Sequence, residues 1–317
     1  MDPNPSRRRW LTPVVIGVAA VVVIAAGYLL LVQPLRSVRT ASATATAEPD
    51  TTSRTPPAHG KPGGPAVPGG AAAPMQSTGP AVAGGGGPSG QIMPTADPPG
   101  WRRAFSDDFG GSTLGPDWFT YEGQPSGDPG GYFLPRQVSV GDGMLTIAGS
   151  RDPSRGNIYV TGGVSNRTSG AQTYGRYEVR FRMDLGRGVA YALLLWPHSN
   201  VYPPEIDFAE DNGSNRRTNY ASVHPADNSR TTEHTVAGDF TQWHTAGMEW
   251  TPGHIVTTLD GKPWADFTAG IPSQAMDLAL QSQGWFCGQG WEACPDASTP
   301  PVVNLQIDWV VVYAKQG

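Results

Sequence analysis

The chain has few cysteines, no excess of positive charge and no helical signal in its C-terminal two thirds. Of its 317 residues only two are cysteines, Cys287 and Cys294, and they lack the companions that a zinc site requires. A net charge of −5 and a pI near 5.6 give no indication of a nucleic-acid partner. Because no amphipathic helix is recognisable after residue 100, that part of the chain is expected to consist of strands and turns.

The N-terminal segment contains a long hydrophobic run. Basic residues at positions 7–9 precede an uncharged stretch over 14–32 that is about long enough to span a bilayer. Residues 1–39 are therefore predicted to be a short cytoplasmic basic segment and a single transmembrane signal anchor. This places the protein in the cell membrane as a single-pass protein, with the remainder extracytoplasmic. Secretion after signal cleavage is the alternative, because Ala-x-Ala sites lie within 41–47.

Residues 40–99 are rich in Ala, Pro, Gly, Thr and Ser and have almost no large apolar side chains. Such a segment cannot bury enough apolar surface to offset the entropy that it loses on ordering. It is predicted to be a disordered linker that leads to one folded domain over residues 100–317. Both cysteines fall in that domain, and in an exported protein we expect them to form a disulfide that pins the loop of residues 284–295.

The part of the chain after residue 100 has the period-2 patterning of β-strands. Residues 177–185 alternate apolar and charged side chains, and residues 305–313 read as a more buried strand. Asp142-Gly143 and Asp260-Gly261 each lie between strand-like runs, which is a strong hairpin signal. About 215 residues of short strands and turns predict one all-β sandwich.

Residues 205–210, Glu-Ile-Asp-Phe-Ala-Glu, place three carboxylates within six positions. On a strand Glu205 and Asp207 share one face, and a β-bulge would bring Glu210 onto the same face. About 13 Å then separates the outer Cα atoms, and two Glu side chains leaning inward reach the roughly 5–5.5 Å that retaining glycoside hydrolysis needs. A solvated strand face or a charged sheet edge is the alternative. Like charges crowded this closely are usually tolerated for a metal or for chemistry.

Together with its flanking motifs, this hexapeptide resembles glycoside hydrolase family 16, the laminarinase and lichenase family. It matches the E-x-D-x-x-E signature of the family in its bulged form. Further landmarks follow the order of the family from about residue 104 to the C-terminus, at 105–109, 174–180, 240–244, 249–252, 260–261 and 307–313. The resemblance implies a concanavalin-like β-jelly-roll sandwich. Pro204 replaces the usual Gly and Gln137 a frequent Asn, which leaves the sugar specificity open.

The resemblance also implies roles for the acidic residues. Glu205 would be the nucleophile, Glu210 the general acid/base, and Asp207 would orient Glu205. A groove for sugars needs flat apolar faces and hydrogen-bonding groups. The residues expected to contact substrate are Trp196, Tyr202, His224, Trp243, Gln281, Gln283, Trp285 and Trp291. A structural calcium, common in the family, is expected at Asp308 with main-chain oxygens near Asp108 and Gly143, and no other cofactor is required.

These observations predict a membrane-tethered, monomeric and extracytoplasmic enzyme. Its expected reaction is retaining endo-hydrolysis of β-1,3 or mixed β-1,3/1,4-glucans. A transglycosylase is one alternative, because it would use the same three carboxylates. A carbohydrate-binding module that does not catalyse is a second, and a calcium-binding surface sandwich whose carboxylates serve only as ligands is a third.

Overall fold

Two packed β-sheets form the part of the chain that the structure describes. The computed structural model describes residues 87–125, 130–169, 171–285, 287 and 293–317. The predicted signal anchor over 1–39 and the linker up to residue 86 lie outside these residues. Within the described ranges, no helix is long and apolar enough to cross a bilayer.

Strands joined by short connections build both sheets. In chain order they are β1 (Trp101–Asp107), β2 (Phe119–Thr120), β3 (Tyr132–Phe133), β4 (Val138–Gly141), β5 (Met144–Asp152), β6 (Ile158–Thr161), β7 (Gly163–Ser165), β8 (Gly175–Met183), β9 (Val189–Pro197), β10 (Glu205–Glu210), β11 (Thr218–His224), β12 (Thr232–Ala237), β13 (His244–Thr251), β14 (His254–Leu259), β15 (Lys262–Phe267), β16 (Met276–Gly284) and β17 (Val302–Lys315).

The sheets differ in size and in strand order. Among the described residues the larger sheet has ten strands in the order β15-β14-β13-β8-β17-β5-β6-β3, with β1 paired to β17 and β4 paired to β5. The smaller sheet has seven strands in the order β12-β11-β10-β9-β16-β7-β2. The predicted all-β sandwich is confirmed.

Burial patterns show which faces the two sheets present. In β8, inward residues such as Val179 and Phe181 are fully buried in the core, whereas Arg180 and Arg182 alternate with them on the outer face. In β9, β10 and β16, by contrast, every residue is buried. A strand buried on both faces needs cover on its outer side as well. The outer face of the seven-stranded sheet is therefore recessed, and we call the outward residues of β9, β10, β11 and β16 the recessed face.

Both predicted Asp-Gly hairpins are present. Asp142-Gly143 joins β4 to β5, and Asp260-Gly261 joins β14 to β15. Asp142 and Asp260 have φ values of 54° and 50°, and the glycines that follow have φ values of 72° and 76°. Positive φ at both central residues defines the type I′ turn, whose twist matches that of antiparallel strands.

The expected boundary between linker and domain at residue 99 is wrong. Residues 87–99 pack on the outer face of the ten-stranded sheet, where the Ser89 backbone N–H donates to Asp308 at 3.1 Å. The Trp309 indole N–H donates to the Gln91 carbonyl at 3.1 Å. Met93 packs on an apolar cluster that consists of Trp101, Trp309, Val311 and Tyr313. The composition of the segment could not predict these contacts. They are made mainly by its backbone groups, and the partner Trp309 is distant in the sequence.

Removal of this segment is expected to destabilise the domain. A chain that starts at residue 87 should unfold at the same denaturant midpoint as the full chain. A chain that starts at residue 101 should lose about 2–4 kcal/mol of unfolding free energy, because apolar cover and two hydrogen bonds to β17 are removed. Urea unfolding monitored by tryptophan fluorescence measures the difference. Equal midpoints for the two truncated chains would contradict the assignment of residues 87–99 to the domain.

The predicted disulfide is confirmed. Cys287 and Cys294 are bonded, with their Cα atoms 4.8 Å apart. The bond closes a short loop after β16 and holds it near the start of β9, where Gly188 lies against Pro295.

Candidate active site

The acidic hexapeptide forms β10 and contains the predicted bulge. Asp207 pairs with Ser222 and Glu210 with Tyr220, so three steps on β10 face two steps on β11. On the other side, Asp207 and Ala209 pair with Leu194 and Leu193. The extra residue reverses the alternation, so that Phe208 and Ala209 both lie in the core. Glu205, Asp207 and Glu210 consequently share the recessed face.

Rows of cross-strand neighbours define the surroundings of each carboxylate. Because directly paired residues point to the same side of a sheet, the row through Glu210 contains Gln281 of β16, Ala192 of β9 and Tyr220 of β11. The row through Asp207 contains Ala279, Leu194 and Ser222. Ala192 and Ala279 form a buried apolar cluster with Leu194 and Trp196, against which Tyr121 and Tyr202 pack.

Glu205 is the most deeply buried of the three acids. Its side chain is 1% exposed, and neither carboxylate oxygen has a hydrogen-bond partner among the described residues. Burial first, and then the charges of Asp207 and Glu210, raise the pKa of Glu205 well above its usual range. The Glu205 carboxyl therefore retains a proton at a pH where an isolated carboxyl would be ionised.

Asp207 is held in place by two side chains of β11. The Ser222 hydroxyl donates to Asp207 Oδ2 at 2.8 Å, and His224 Nε2 lies 3.2 Å from the same oxygen. On its other side, His224 Nδ1 lies 3.0 Å from Thr231 Oγ1 and 3.3 Å from the Tyr202 hydroxyl. This network fixes the orientation of Asp207 and places His224 beside Asp207, whereas the expected contact of His224 with substrate stays a prediction.

Trp196 and Tyr202 form an aromatic pair beside Glu205. Their ring centroids are 5.7 Å apart and the planes are tilted by only 17°. The Trp196 indole N–H donates to Asn200 Oδ1 at 2.8 Å, which fixes the ring. Burial and the charges of Glu205 and Asp207 raise the pKa of Tyr202. The charge effect indicates that Tyr202 is near Glu205, and Trp196 stacks on Tyr202.

Gln281 and Gln283 lie on the recessed face, as their alternation predicted. Gln281 is 1% exposed, and its amide oxygen and nitrogen both lack partners among the described residues. Glycine is required at the neighbouring position, Gly163, because Tyr121 and Gln281 come close to its Cα. A Cβ there would lie 2.3 Å from the Tyr121 ring and 3.1 Å from Gln281. Buried amides are normally hydrogen-bonded, so Gln281 is available for a ligand. Gln283 is buried one row further along, opposite Ala190.

The expectation for Trp243 is wrong. Its ring lies 5.0 Å from the guanidinium of Arg182, and Arg182 is on the outer face of the ten-stranded sheet. Trp243 is thus on the opposite side of the sandwich from the carboxylates. Trp285 is buried directly after β16, with its indole N–H unpartnered among the described residues. Trp291 lies outside the described residues.

Several residues of the site were not anticipated. Ser222 shares a face with His224, so strand periodicity alone could have identified it. Asp277, 2% exposed, pairs with Trp196 across β9 and β16. Its carboxylate lies 3.0 Å from His198 Nδ1. The sequence could have indicated Asp277, because it is an acid within the otherwise apolar start of β16. No sequence feature indicates Tyr121, because only tertiary packing brings it over Gly163.

Asp308, Asp108 and Gly143 are the residues near which a structural calcium is expected. Asp308 is 2% exposed and lies where β5 ends its pairing with β17 and β1 begins. Gly143 approaches the same segment, since a Cβ there would lie 3.4 Å from Pro88. Asp108 Oδ1 accepts the Gly110 backbone N–H at 3.1 Å. Asp308 Oδ2 accepts the Ser89 backbone N–H at 3.1 Å, and calcium binding at this position stays a prediction.

Comparison with known proteins agrees with this architecture. The family model described as Glycosyl hydrolases family 16 matches residues 136–310, more than half of the chain. Endo-1,3-1,4-beta-glycanase ExsH of Rhizobium meliloti is 32% identical over 189 residues, which cover 56% of this chain and 39% of the relative. EglC of the same organism, another endo-1,3-1,4-beta-glycanase, is 28% identical over 233 residues, covering 69% and 47%. The chain thus spans less than half the length of these two curated relatives.

Solved structures share the fold. The laminarinase catalytic domain from Thermotoga maritima superimposes with a TM-score of 0.61 at 21% identity, over 68% of this chain and 99% of that one. The laminarinase from Rhodothermus marinus gives a TM-score of 0.60 at 24% identity, over 68% and 98%. These similarities confirm the jelly-roll sandwich.

The jelly-roll sandwich and the cluster of acids on one bulged strand together indicate a glycoside hydrolase. The chain belongs to glycosyl hydrolases family 16.

Proposed function

We propose that this chain is a retaining endo-β-glucanase that hydrolyses β-1,3 or mixed β-1,3/1,4-glucans. The observation that carries the proposal is the placement of Glu205, Asp207 and Glu210 on one face of a bulged strand within a recess. The names of ExsH and EglC support the substrate class, as does that of a beta-glucanase from Rhodothermus marinus that is 29% identical over 183 residues.

In the proposed mechanism the two Glu residues take complementary roles. Glu205, ionised, attacks the anomeric carbon while Glu210 gives its proton to the departing glycosidic oxygen. The C–O bond to the leaving sugar breaks and an ester to Glu205 forms. Glu210, now a carboxylate, removes a proton from water, and the water oxygen displaces Glu205. Two inversions at the same carbon give net retention.

The surroundings of Glu205 and Glu210 support these two roles. Burial and the neighbouring charges of Asp207 and Glu210 raise the pKa of Glu205, and for the first step the proton must be on Glu210 rather than on Glu205. Positive charge that develops on the sugar ring favours the ionised form of Glu205, which has no hydrogen bond to lose. Asp207, fixed by Ser222 and His224, keeps a carboxyl group beside Glu205 without competing for the anomeric carbon.

Gln281 is proposed to hydrogen-bond a substrate hydroxyl beside Glu210. In Gln281→Ala we expect kcat/KM on β-glucan to fall about three- to tenfold, the cost of one or two neutral hydrogen bonds. The free energy of unfolding should not fall, because the amide has no partner in the protein among the described residues. Steady-state kinetics and urea unfolding measure both quantities. Gln242→Ala, at an exposed glutamine, is the control; a loss of stability with unchanged kinetics would contradict the proposal.

Activity of the full chain on a panel of glycans tests the function. Laminarin and lichenan should be cleaved internally, whereas xyloglucan, agar and chitin-type polymers should not. Proton NMR should show the β-anomer as the first new reducing end. Longer products in the presence of excess oligosaccharide would favour the transglycosylase, and binding without turnover on every glycan would favour the carbohydrate-binding module.

The setting of the domain is proposed from the sequence. A membrane anchor over 1–39 would hold a monomeric catalytic domain outside the cytoplasm, with secretion after cleavage as the alternative. A structural calcium held by Asp308 and main-chain oxygens near Asp108 and Gly143 would serve the fold. No step of the reaction involves that cation.

A further inference from the structure

Glu205, Asp207 and His224 bring two carboxylates and one imidazole together. One ligand atom from each lies within 4.8 Å of the others, and no other group of three such residues does so within the described part of the chain. Two oxygens and one nitrogen form a donor set that suits zinc and similar cations. Asp308 and its surroundings, by contrast, offer only oxygens.

The bonding state of Glu205 is a separate observation that points to a ligand. Both of its oxygens are unpartnered among the described residues although the side chain is 1% exposed. Buried charged groups are normally paired, hydrogen-bonded or bound to a metal. A divalent cation in the recess would supply Glu205 with the partner that it lacks and would neutralise the charge shared with Asp207.

The surrounding side chains already orient both other ligands. Metal-binding histidines usually donate the second ring N–H to an oxygen. His224 Nδ1 faces Thr231 Oγ1 at 3.0 Å and the Tyr202 hydroxyl at 3.3 Å, which leaves Nε2 directed at Asp207. Asp207 is in turn held by the Ser222 hydroxyl.

The spacing of the His224 and Asp207 ligand atoms also fits. His224 Nε2 and Asp207 Oδ2 are 3.2 Å apart. Two ligands at about 2.0–2.1 Å from a tetrahedral zinc are roughly 3.3 Å apart. Little movement of His224 or Asp207 is therefore needed to accommodate a cation between them.

We propose that Glu205, Asp207 and His224 bind a divalent transition-metal cation such as Zn²⁺, and that the bound cation blocks catalysis. Three protein ligands leave a fourth position open on the recessed face. A cation there takes the electron pair with which Glu205 attacks the sugar, so inhibition should be competitive with glucan. The blocking effect depends on the proposed function, whereas the binding does not. Ca²⁺ and Mg²⁺, which prefer all-oxygen sites, should bind far more weakly.

Calorimetric titration of the full chain with ZnCl₂, in buffer containing excess Ca²⁺, tests the binding. We expect His224→Ala to weaken the strongest zinc site at least about tenfold. His254→Ala is the matched control, because His254 Nε2 also faces a carboxylate, Asp266 at 3.0 Å, but on an exposed surface. That variant should bind as the wild type does. Equal binding by His224→Ala and wild type, or equal loss in both variants, overturns the site.

Two further readouts separate this proposal from the proposed function. Glu210→Gln should keep the zinc site, because Glu210 is not among the ligands, although its hydrolysis should be impaired. Co²⁺ bound to the wild type should give the intense visible absorption of a four-coordinate site, and His224→Gln should lose it. Zinc binding at His224 in a chain that hydrolyses no glucan would uphold the site and refute the function. Hydrolysis of laminarin that saturating Zn²⁺ leaves unchanged would refute the block.

Discussion

Glu205→Gln is expected to lower kcat/KM on laminarin or lichenan at least about 10⁴-fold, because the amide cannot form the glycosyl ester. KM should change little, since the shape of the side chain is retained. Glu249→Gln is the matched control: Glu249 lies on the outer face of the ten-stranded sheet and pairs with Arg176 at 3.0 Å. That variant should keep wild-type rates. Activity of Glu205→Gln within tenfold of the wild type would refute the nucleophile assignment.

Chemical rescue makes the same experiment diagnostic of mechanism. Glu205→Gly leaves a small cavity in which azide can attack the anomeric carbon of an activated aryl β-glucoside oligosaccharide. The product should be the α-azide, because only one inversion occurs. A β-azide would mean that Glu205 is not the attacking group.

The stability of Glu205→Gln supplies a check on its folding. Burial and neighbouring charge raise the pKa of Glu205 above its ordinary value of 4.5. The stability that the protonated side chain contributes is therefore complete below about pH 4.5 and is lost as the pH rises through the raised pKa. Glutamine stays neutral throughout. We expect urea unfolding to show that the stability of the variant rises relative to that of the wild type as the pH increases above about 4.5.

Glu210→Gln is expected to lower kcat on polysaccharide about 10²–10⁴-fold, the usual contribution of a general acid/base. The loss should depend on the leaving group. With an aryl glycoside whose phenol needs no proton, the first step should remain close to the wild-type rate and the glycosyl ester on Glu205 should accumulate. Mass spectrometry of the stopped reaction detects that ester. An equal loss on both substrates would contradict an acid/base role for Glu210.

Local sequence was sufficient where the controlling interactions are local. Alternation placed Gln281 and Gln283 on the recessed face, and the Asp-Gly pairs located two hairpins through their positive φ values. The bulge in β10 could be anticipated because Phe208 and Ala209 are consecutive apolar residues between acids, which no regular strand can place correctly.

The errors arose where distant segments meet. Trp243 has the appearance of a groove residue, yet strand order places it on the other sheet with Arg182. Residues 87–99 have the composition of a linker, but they form hydrogen bonds with Asp308 and Trp309, more than 200 positions away in the sequence. Tyr121 and Asp277 belong to the site only through pairing across β7, β16 and β9. Composition and periodicity contain no information about such partners.

Because residues 87–93 pack on β17, a force applied from the N-terminal side would enter the domain at that strand. These residues leave the sandwich on the outer face of the ten-stranded sheet, whereas Glu205 and Glu210 open on the far side of the seven-stranded one. A mechanical load applied through the N-terminal side reaches β17, a central strand hydrogen-bonded to β1, β5 and β8. β10 is in the other sheet and is not paired with β17. A pull on the N-terminal side is therefore expected to load β17 before it changes the distance between the two acids.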